Sequence, residues 1–325
     1  MWYVVKPFFL IRWLPAPVAP VFLACAFLTT AARAEEARTL RWKFVAGQTN
    51  RYLLEQDMVS EQTSEGHSMK TTVKQTMNVI WRVKAVDDQG VAEVTQAVDR
   101  VRMNVQRPRE AGPPLAFDSA AKNERAKNGA AKNGTDQELK QLAAHFEPLL
   151  KHPFAMKIDP KGVVSDVEIP ETIRKALKGS EPGSGGDEAF KEMLMSSTVQ
   201  FPTKPLKAGS SWKHTVETKT PFGKQKAITT YTYGGIEKHE GHDLDKIDLK
   251  LDVELVGGDE DKVKPKIVSQ ESEGVIYFDG EQGWLARQRT TSKVEMELMQ
   301  GDMKIGETVS TTTRIQLVSD DQAAE

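Results

Sequence analysis

The chain has 325 residues, with 44 lysines and arginines against 46 aspartates and glutamates, 39% hydrophobic residues and one cysteine. This balance leaves no basic excess for a nucleic-acid surface. One cysteine excludes an intramolecular disulfide framework, an iron–sulfur cluster and a cysteine-rich zinc site. The length suits one large domain or two ordinary ones.

Residues 1–34 differ from the rest. They hold Lys6, Arg12 and Arg33, no acidic residue, and an apolar segment at 18–28, before Ala32-Arg33-Ala34 and Glu35-Glu36. A basic start, a short apolar stretch and small residues at the −3 and −1 positions predict a secretory signal peptide cleaved after Ala34. The apolar segment falls short of the roughly 20 residues that a membrane helix needs, and Pro15, Pro17 and Pro20 break any longer helix. Two alternatives use the same segment: an uncleaved anchor, or lipidation at Cys25. Phe22-Leu23-Ala24-Cys25 is a poor lipobox, and the apolar Ala26-Phe27-Leu28 stands where a lipoprotein tether is polar. The expected mature protein is secreted or periplasmic, cysteine-free and more acidic than the whole chain, so its core alone must stabilise it.

From residue 35 the pattern alternates with period two. In 35–106, a first β-meander, Val73, Met77, Val79, Trp81, Val83 and Ala85 alternate with Lys74, Thr76, Asn78, Arg82 and Lys84. Val94 and Val98 have one parity, and Val101, Met103 and Val105 the other. A bulge near Asp99-Arg100 would return all five to one face. Residues 107–135, rich in Pro, Ala, Lys, Asn and Gly with Ala-Lys-Asn three times, predict a disordered loop. Residues 136–200 are a helical insertion. Thr135-Asp136-Gln137-Glu138 reads as a capping box. The helix it opens carries Leu139, Leu142, Phe146 and Leu149 and ends near Pro148. Short strands flank Asp159-Pro160-Lys161-Gly162, Pro170 starts a helix with Ile173 and Leu177, and a further helix carries Phe190, Met193 and Leu194. In 201–320, a second meander, Ile247, Leu249, Leu251, Val253 and Leu255 alternate with charged residues. Val294, Met296 and Leu298, then Ile305, Val309, Ile315 and Leu317, mark later strands. One wet and one dry face mean antiparallel sheet. The expected fold is therefore a β-dominated α+β protein of about ten strands. Its curved or partly closed antiparallel sheet is made of two meanders in one domain, with short helices inserted between them.

The two halves echo each other. Phe44-Val45-Ala46-Gly47-Gln48-Thr49-Asn50-Arg51-Tyr52-Leu53-Leu54-Glu55 parallels Leu206-Lys207-Ala208-Gly209-Ser210-Ser211-Trp212-Lys213-His214-Thr215-Val216-Glu217. Duplication and convergent strand-entry chemistry both account for a match of this length.

No motif in the chain carries a recognised chemistry. His239 and His242 sit in a His-Glu-Gly-His-Asp turn that lacks the rigid spacing of a helical metal site. His145, His152, His214 and His67 read as structural or surface positions. Gly183-Ser184-Gly185 lacks a nucleophile elbow's strand–turn–helix setting, and Asp259-Glu260-Asp261 lacks the spacing of a calcium loop. No catalytic residue, metal site or cofactor is assigned, and no ligand-binding residue is picked out. The strand carboxylates alternate with lysines opposite the aliphatic face, as on a solvated sheet. A hydrolase using an unrecognised carboxylate pair is the least favoured reading. The favoured one is binding of a lipid, a lipoprotein or another apolar envelope partner in a continuous aliphatic concavity. A structural or protein-interaction module with a filled core comes second.

Phe44-x-x-Gly47-x-x-x-x-Tyr52, Phe201-Pro202-x-Lys204-Pro205-x-x-x-Gly209-x-x-Trp212, and Gly274-x-Ile276-x-Phe278-Asp279 with Gly283-x-Leu285 resemble uncharacterised families of exported bacterial β-rich proteins. The layout is also similar to periplasmic lipoprotein carriers of the LolA/LppX type, a curved antiparallel sheet with helices inserted mid-chain. The duplication and the Ala-Lys-Asn insertion depart from that pattern. The resemblance implies a fold and an exported location, and it assigns no residue a role.

Overall fold

The structure is a computed structural model that describes residues 37–64, 66–108, 112–121, 134–178, 186–220, 223–256, 263–300 and 303–319. The signal sequence with Cys25, the Ala-Lys-Asn repeats beyond Ala121, Gly183-Ser184-Gly185 and Asp259-Glu260-Asp261 lie outside the described residues. So do the side chains of Thr135, Leu177, Leu255 and Leu298.

Among the described residues, twelve strands form one open antiparallel sheet. They are β1 (Thr49–Ser64), β2 (His67–Val86), β3 (Ala92–Gln106), β4 (Leu115–Asp118), β5 (Phe154–Ile158), β6 (Val164–Glu168), β7 (Ser211–Thr220), β8 (Gly223–His239), β9 (His242–Val256), β10 (Val263–Asp279), β11 (Trp284–Gln300) and β12 (Met303–Val318). The spatial order is β6-β5-β3-β2-β1-β12-β11-β10-β9-β8-β7, with β4 beside the far end of β3. Each meander is built from neighbours in sequence, and β1 and β12 then pair along their lengths, from Arg51↔Val318 to Ser64↔Ile305, making one sheet of the two. Three helices lie between the meanders: α1 (Gly134–Lys151), α2 (Glu171–Lys178) and α3 (Gly186–Met195).

The strand count exceeds the expected ten partly because Leu115–Asp118, inside the segment expected to be a loop, pair with β3. Leu115 and Phe117 stand opposite Val105 and Met103 and are buried with them, an apolar gain that the loop's polar composition concealed. Helix α1 runs past Pro148 to Lys151. In the last turn the proline forfeits only its own N–H, and its carbonyl still accepts from the His152 N–H at 3.2 Å. Glu138 forms a bidentate pair with Arg107 at 3.1 and 2.7 Å, tying α1 to the end of β3.

Asp99 is the extra residue in β3: Asn78 pairs with Arg100 and Val79 with Val98. Val94, Val98, Val101, Met103 and Val105 are all buried as a result. Phe146, Leu139 and Leu142 of α1 pack on this row, and Ile173 and Leu194 of α2 and α3 pack beside Phe154 of β5.

One end of the curved sheet is sealed by a strap, residues 38–45. Arg38 pairs with Leu206 through two backbone bonds, the Trp42 N–H donates to Pro160 O at 2.8 Å, and the Lys43 N–H donates to Gly283 O at 3.2 Å. The strap therefore touches the segment leading into β7, the β5–β6 turn and the β10–β11 turn. Trp42 is 3% exposed. Its ring lies 5.3 Å from Phe278, 6.1 Å from Trp81 and 6.3 Å from Trp284, and its Nε1 donates to Val199 O at 2.9 Å. Gly162 leaves room for this: a Cβ there would sit 2.2 Å from Val199 O and 2.6 Å from the Trp42 nitrogen.

The sequence echo has a structural counterpart. Gly47 has φ +85° and Gly209 φ +84°, a region that glycine enters without strain. The Gly47 N–H donates to Val83 O, the Gln48 N–H to Val45 O and the Val83 N–H to Gln48 O. The Gly209 N–H donates to Tyr233 O, the Ser210 N–H to Lys207 O and the Tyr233 N–H to Ser210 O. The β5–β6 and β10–β11 turns are alike in running from an aspartate to a glycine with positive φ but differ in length, with Gly162 N–H bonded to Asp159 O and Gly283 N–H to Asp279 O one residue further on. Strands β1, β2, β3, β5 and β6 thus correspond in order to β7, β8, β9, β10 and β11, with β12 added.

Candidate functional site

Three features stand out once the strands are in register: a buried carboxylate under the strap, a polar band across the core face, and a parting between two strands. At the sealed end Asp245 is 1% exposed. Its Oδ1 accepts from the Tyr233 hydroxyl at 2.7 Å and lies 3.4 Å from Arg38. Burial, only partly offset by Tyr233 and Arg38, pushes the Asp245 carboxyl above its ordinary range. The cluster joins the strap to β8 and β9 and so ties that end of the sheet together.

Further along, the core face changes character. Gln75, Gln56, Thr313 and Thr290 stand side by side across β2, β1, β12 and β11, and Thr311, Ser292 and Ser272 across β12, β11 and β10. These positions share the parity of Tyr52 and Leu54. Gln56, Gln75, Thr311, Thr313, Ser272 and Ser292 are all buried. Gln75 Oε1 and Ser272 Oγ find no protein partner, and buried polar atoms of this kind are ordinarily met by water. The continuous aliphatic concavity expected from sequence is interrupted here by hydrogen-bonding side chains.

Two shallow depressions among the described residues are lined mainly by polar and charged residues. The larger, about 290 Å³, crosses β1, β12, β11 and β10 at one height, beside Asp57, Thr312, Thr291, Lys293, Glu271 and Glu273. The smaller, about 240 Å³, is lined by Thr72, Lys74, Asn104 and Gln106.

Strands β9 and β10 pair only from Lys250↔Glu273 to Asp245↔Phe278, although both run on. Beyond that point the Gln270 side chain takes the place of a strand partner. Its amide nitrogen donates to Val253 O at 3.0 Å, and its oxygen accepts from the Val253 N–H at 3.2 Å.

The histidines picked out from sequence do not converge. His239 pairs with His242 across the β8–β9 turn. The His239 Nε2 lies 3.2 Å from Glu237, and its ring is 4.0 Å from that of Tyr277. Among the described residues no three His, Cys, Asp or Glu side chains come together as metal ligands would. His145 stacks edge-on to Phe146, and burial lowers its pKa. His214 sits half-buried on β7, also with a lowered pKa. The exposed His67 lies at the start of β2, and His152 just beyond α1. Sequence reading passed over Asp245 and Gln270 because it treated strand carboxylates and amides as surface groups. The signal was available for Asp245, which follows Leu244 in a strand that otherwise alternates aliphatic with charged residues.

Residues 115–242 match the model of a family of unknown function, DUF6263. The match covers less than half of the chain and accords with the resemblance to an uncharacterised family. No curated protein matches in sequence. Among solved structures, one described as lipid–protein interactions in lipovitellin superposes with a TM-score of 0.46 at 12% identity over 85% of this chain. The chain spans only about a quarter of that protein, 26% of its length. DynF of the dynemicin pathway of Micromonospora chersina gives a TM-score of 0.22 at 8% identity, covering 92% of this chain and 95% of its own. OpdQ of Pseudomonas aeruginosa gives 0.26 at 5% identity, covering 84% and 100%. None of these superpositions reaches the level at which a common fold follows, and none bears on function.

Proposed function

We propose that this chain is an exported binding protein that works through the surfaces and edges of its sheet, with a filled core and no small ligand inside. The observation that carries the reading is the polar band. An acyl chain needs an apolar lining throughout its length, because each unpaired hydroxyl or amide facing it costs desolvation energy. Gln56, Gln75, Thr311, Thr313, Ser272 and Ser292 occupy the middle of the face where that lining would run. The strap, with Trp42, Phe278 and Trp284, fills the sealed end. Export rests on the sequence of residues 1–34 and is tested by the mass of the processed N-terminus, expected to begin at Glu35. For the interior, native mass spectrometry and solvent extraction of protein purified from the envelope are expected to show no stoichiometric lipid. A bound lipid in molar amount would refute the filled-core reading.

A second reading, binding of a lipid or lipoprotein, has one observation in its favour. Beyond Lys250 the register of β9 with β10 ends, and beside Leu251 and Val253 of the core face the Gln270 side chain bonds the Val253 backbone in place of a strand partner. Under this reading Gln270→Ala would change lipid capture, and under the first it would not.

A further inference from the structure

We propose that the protein self-associates through β7, the edge strand of the second half, pairing antiparallel with β7 of a second copy about a two-fold axis at Thr215. The inference goes beyond the function proposed above. It depends on oligomeric state, whether or not the purified protein carries lipid.

The Val83 N–H bond to Gln48 O sets the hydrogen-bond phase of β1 against β2, and the Tyr233 N–H bond to Ser210 O sets the same phase for β7 against β8. In an antiparallel pair alternate residues turn their backbone groups toward and away from the partner. On β1 the residues turned away from β2 include Arg51, Leu53, Glu55 and Asp57, and these meet Val318, Gln316, Arg314 and Thr312 of β12. On β7 the corresponding residues are Lys213, Thr215 and Glu217, preceded by Ser211. Among the described residues no strand pairs with this edge, because the sheet ends at β7. Helices α2 and α3 follow β6 in the chain where, by the same correspondence, a strand like β12 would follow, and α3 lies against both β6 and the sheet end at β7 without pairing to it as a strand does. The fold thus covers one of two equivalent edges with a strand and leaves the other without one.

The sequence of that edge commits the occupant. In an antiparallel pair of β7 strands centred on Thr215, residue 213 of one copy faces residue 217 of the other. Lys213 then stands opposite Glu217 twice, once on each side of the axis, and Thr215 opposite Thr215. Lys213, Thr215 and Glu217 all lie on the exposed face of the strand. Opposite charges facing each other across strands stabilise the register, and like charges destabilise it. On the other face His214 meets Val216 and Trp212 meets Thr218, all half-buried in the single chain. This is the self-complementarity that an isologous two-fold contact requires. A strand pair buries less surface than a standard interface, so the association is concentration-dependent.

Sedimentation velocity and light scattering of the processed protein, up to about 100 µM, are expected to show a monomer–dimer equilibrium. Thr215→Pro removes an N–H that points away from β8 and so leaves the β7–β8 ladder complete. It is expected to abolish the dimer with unchanged far-UV circular dichroism. Should that variant fold poorly, the charge variants decide the question alone. Lys213→Glu sets two carboxylates face to face at both contacts, the new one against Glu217, and weakens the dimer about five- to thirtyfold; Glu217→Lys does the same with two ammonium groups. Mixing the two single variants restores association, because each heterodimer again sets opposite charges face to face. A protein that stays monomeric over the whole range overturns the proposal. So does a dimer indifferent to Lys213→Glu, or a mixture that gains nothing over its components.

Discussion

If the strap is part of the core, removing Trp42 must cost a large share of the stability. The side chain is 3% exposed, lies against four aromatic rings (Phe44, Trp81, Phe278 and Trp284) and donates one hydrogen bond. A buried indole covers about 200 Å², which at about 25 cal/mol per Å² is worth about 5 kcal/mol as an upper bound. Measured truncations of buried aromatics fall at about 3–5 kcal/mol, and the Val199 carbonyl left without its donor adds about 1 kcal/mol. Trp42→Ala is therefore expected to lose about 4–5 kcal/mol, against the roughly 5–15 kcal/mol that folded domains have in total. Trp42→Phe keeps a ring against Phe278 and gives up the indole bond, for a loss of about 1.5–2 kcal/mol. Urea unfolding followed by far-UV circular dichroism measures both, with unchanged slopes showing that the unfolded state is the same. A Trp42→Ala loss below about 1 kcal/mol would mean that residues 38–45 merely rest on the sheet, and the sealed end would need another explanation.

Other residues test the remaining links. Because the folded state binds the Asp245 proton more tightly than the unfolded state does, Asp245 should add stability as pH falls from neutral through its raised pKa toward the ordinary value of about 3.9. Asp245→Asn should remove that increment, read as urea midpoints across pH. Asp118 has the opposite sign. The Arg100 pair at 2.8 Å lowers its pKa, so its contribution is full above the ordinary carboxylate range and lost as pH falls through the folded value, and Asp118→Asn should flatten that acid loss. Deleting Asp99 would put Val101, Met103 and Val105 on the wet face or Val94 and Val98 there instead, and no soluble folded protein is expected. Gly47→Ala and Gly209→Ala should each cost about 1–2 kcal/mol through backbone strain alone, since nothing lies within 4 Å of either new Cβ; unequal losses would count against equivalent hairpins.

Much of this architecture was legible because a sheet writes its faces into alternate positions. The β9 run from Ile247 to Val253 and the change of parity at Asp99 in β3 both mean in space what they mean in the sequence. The polar band was legible in principle and was passed over. Counting only aliphatic residues on the dry parity skipped Gln75 between Val73 and Met77, and Thr311 and Thr313 between Val309 and Ile315. The β1–β12 pairing was hidden for a different reason: period two states which way side chains point and is silent on which strand lies alongside. Asp245 was hidden by its charge, since only the approach of Arg38 and Tyr233 makes a dry site bearable for it.

The joining of β1 to β12 also governs the order of events as the protein is made. Arg314 bonds Asp57 across a sequence separation of 257 residues. At ribosomal speeds of about 5–20 residues per second, the edge of β1 waits roughly ten to fifty seconds for its neighbour to emerge. During that interval a long strand stands with its backbone unsatisfied, the condition under which chains recruit the wrong partner. Contacts this distant in sequence also make the search slow once the chain is complete. Until β12 arrives, the outer edge of β1 has only water or a foreign strand to pair with, a period of exposure set by topology alone.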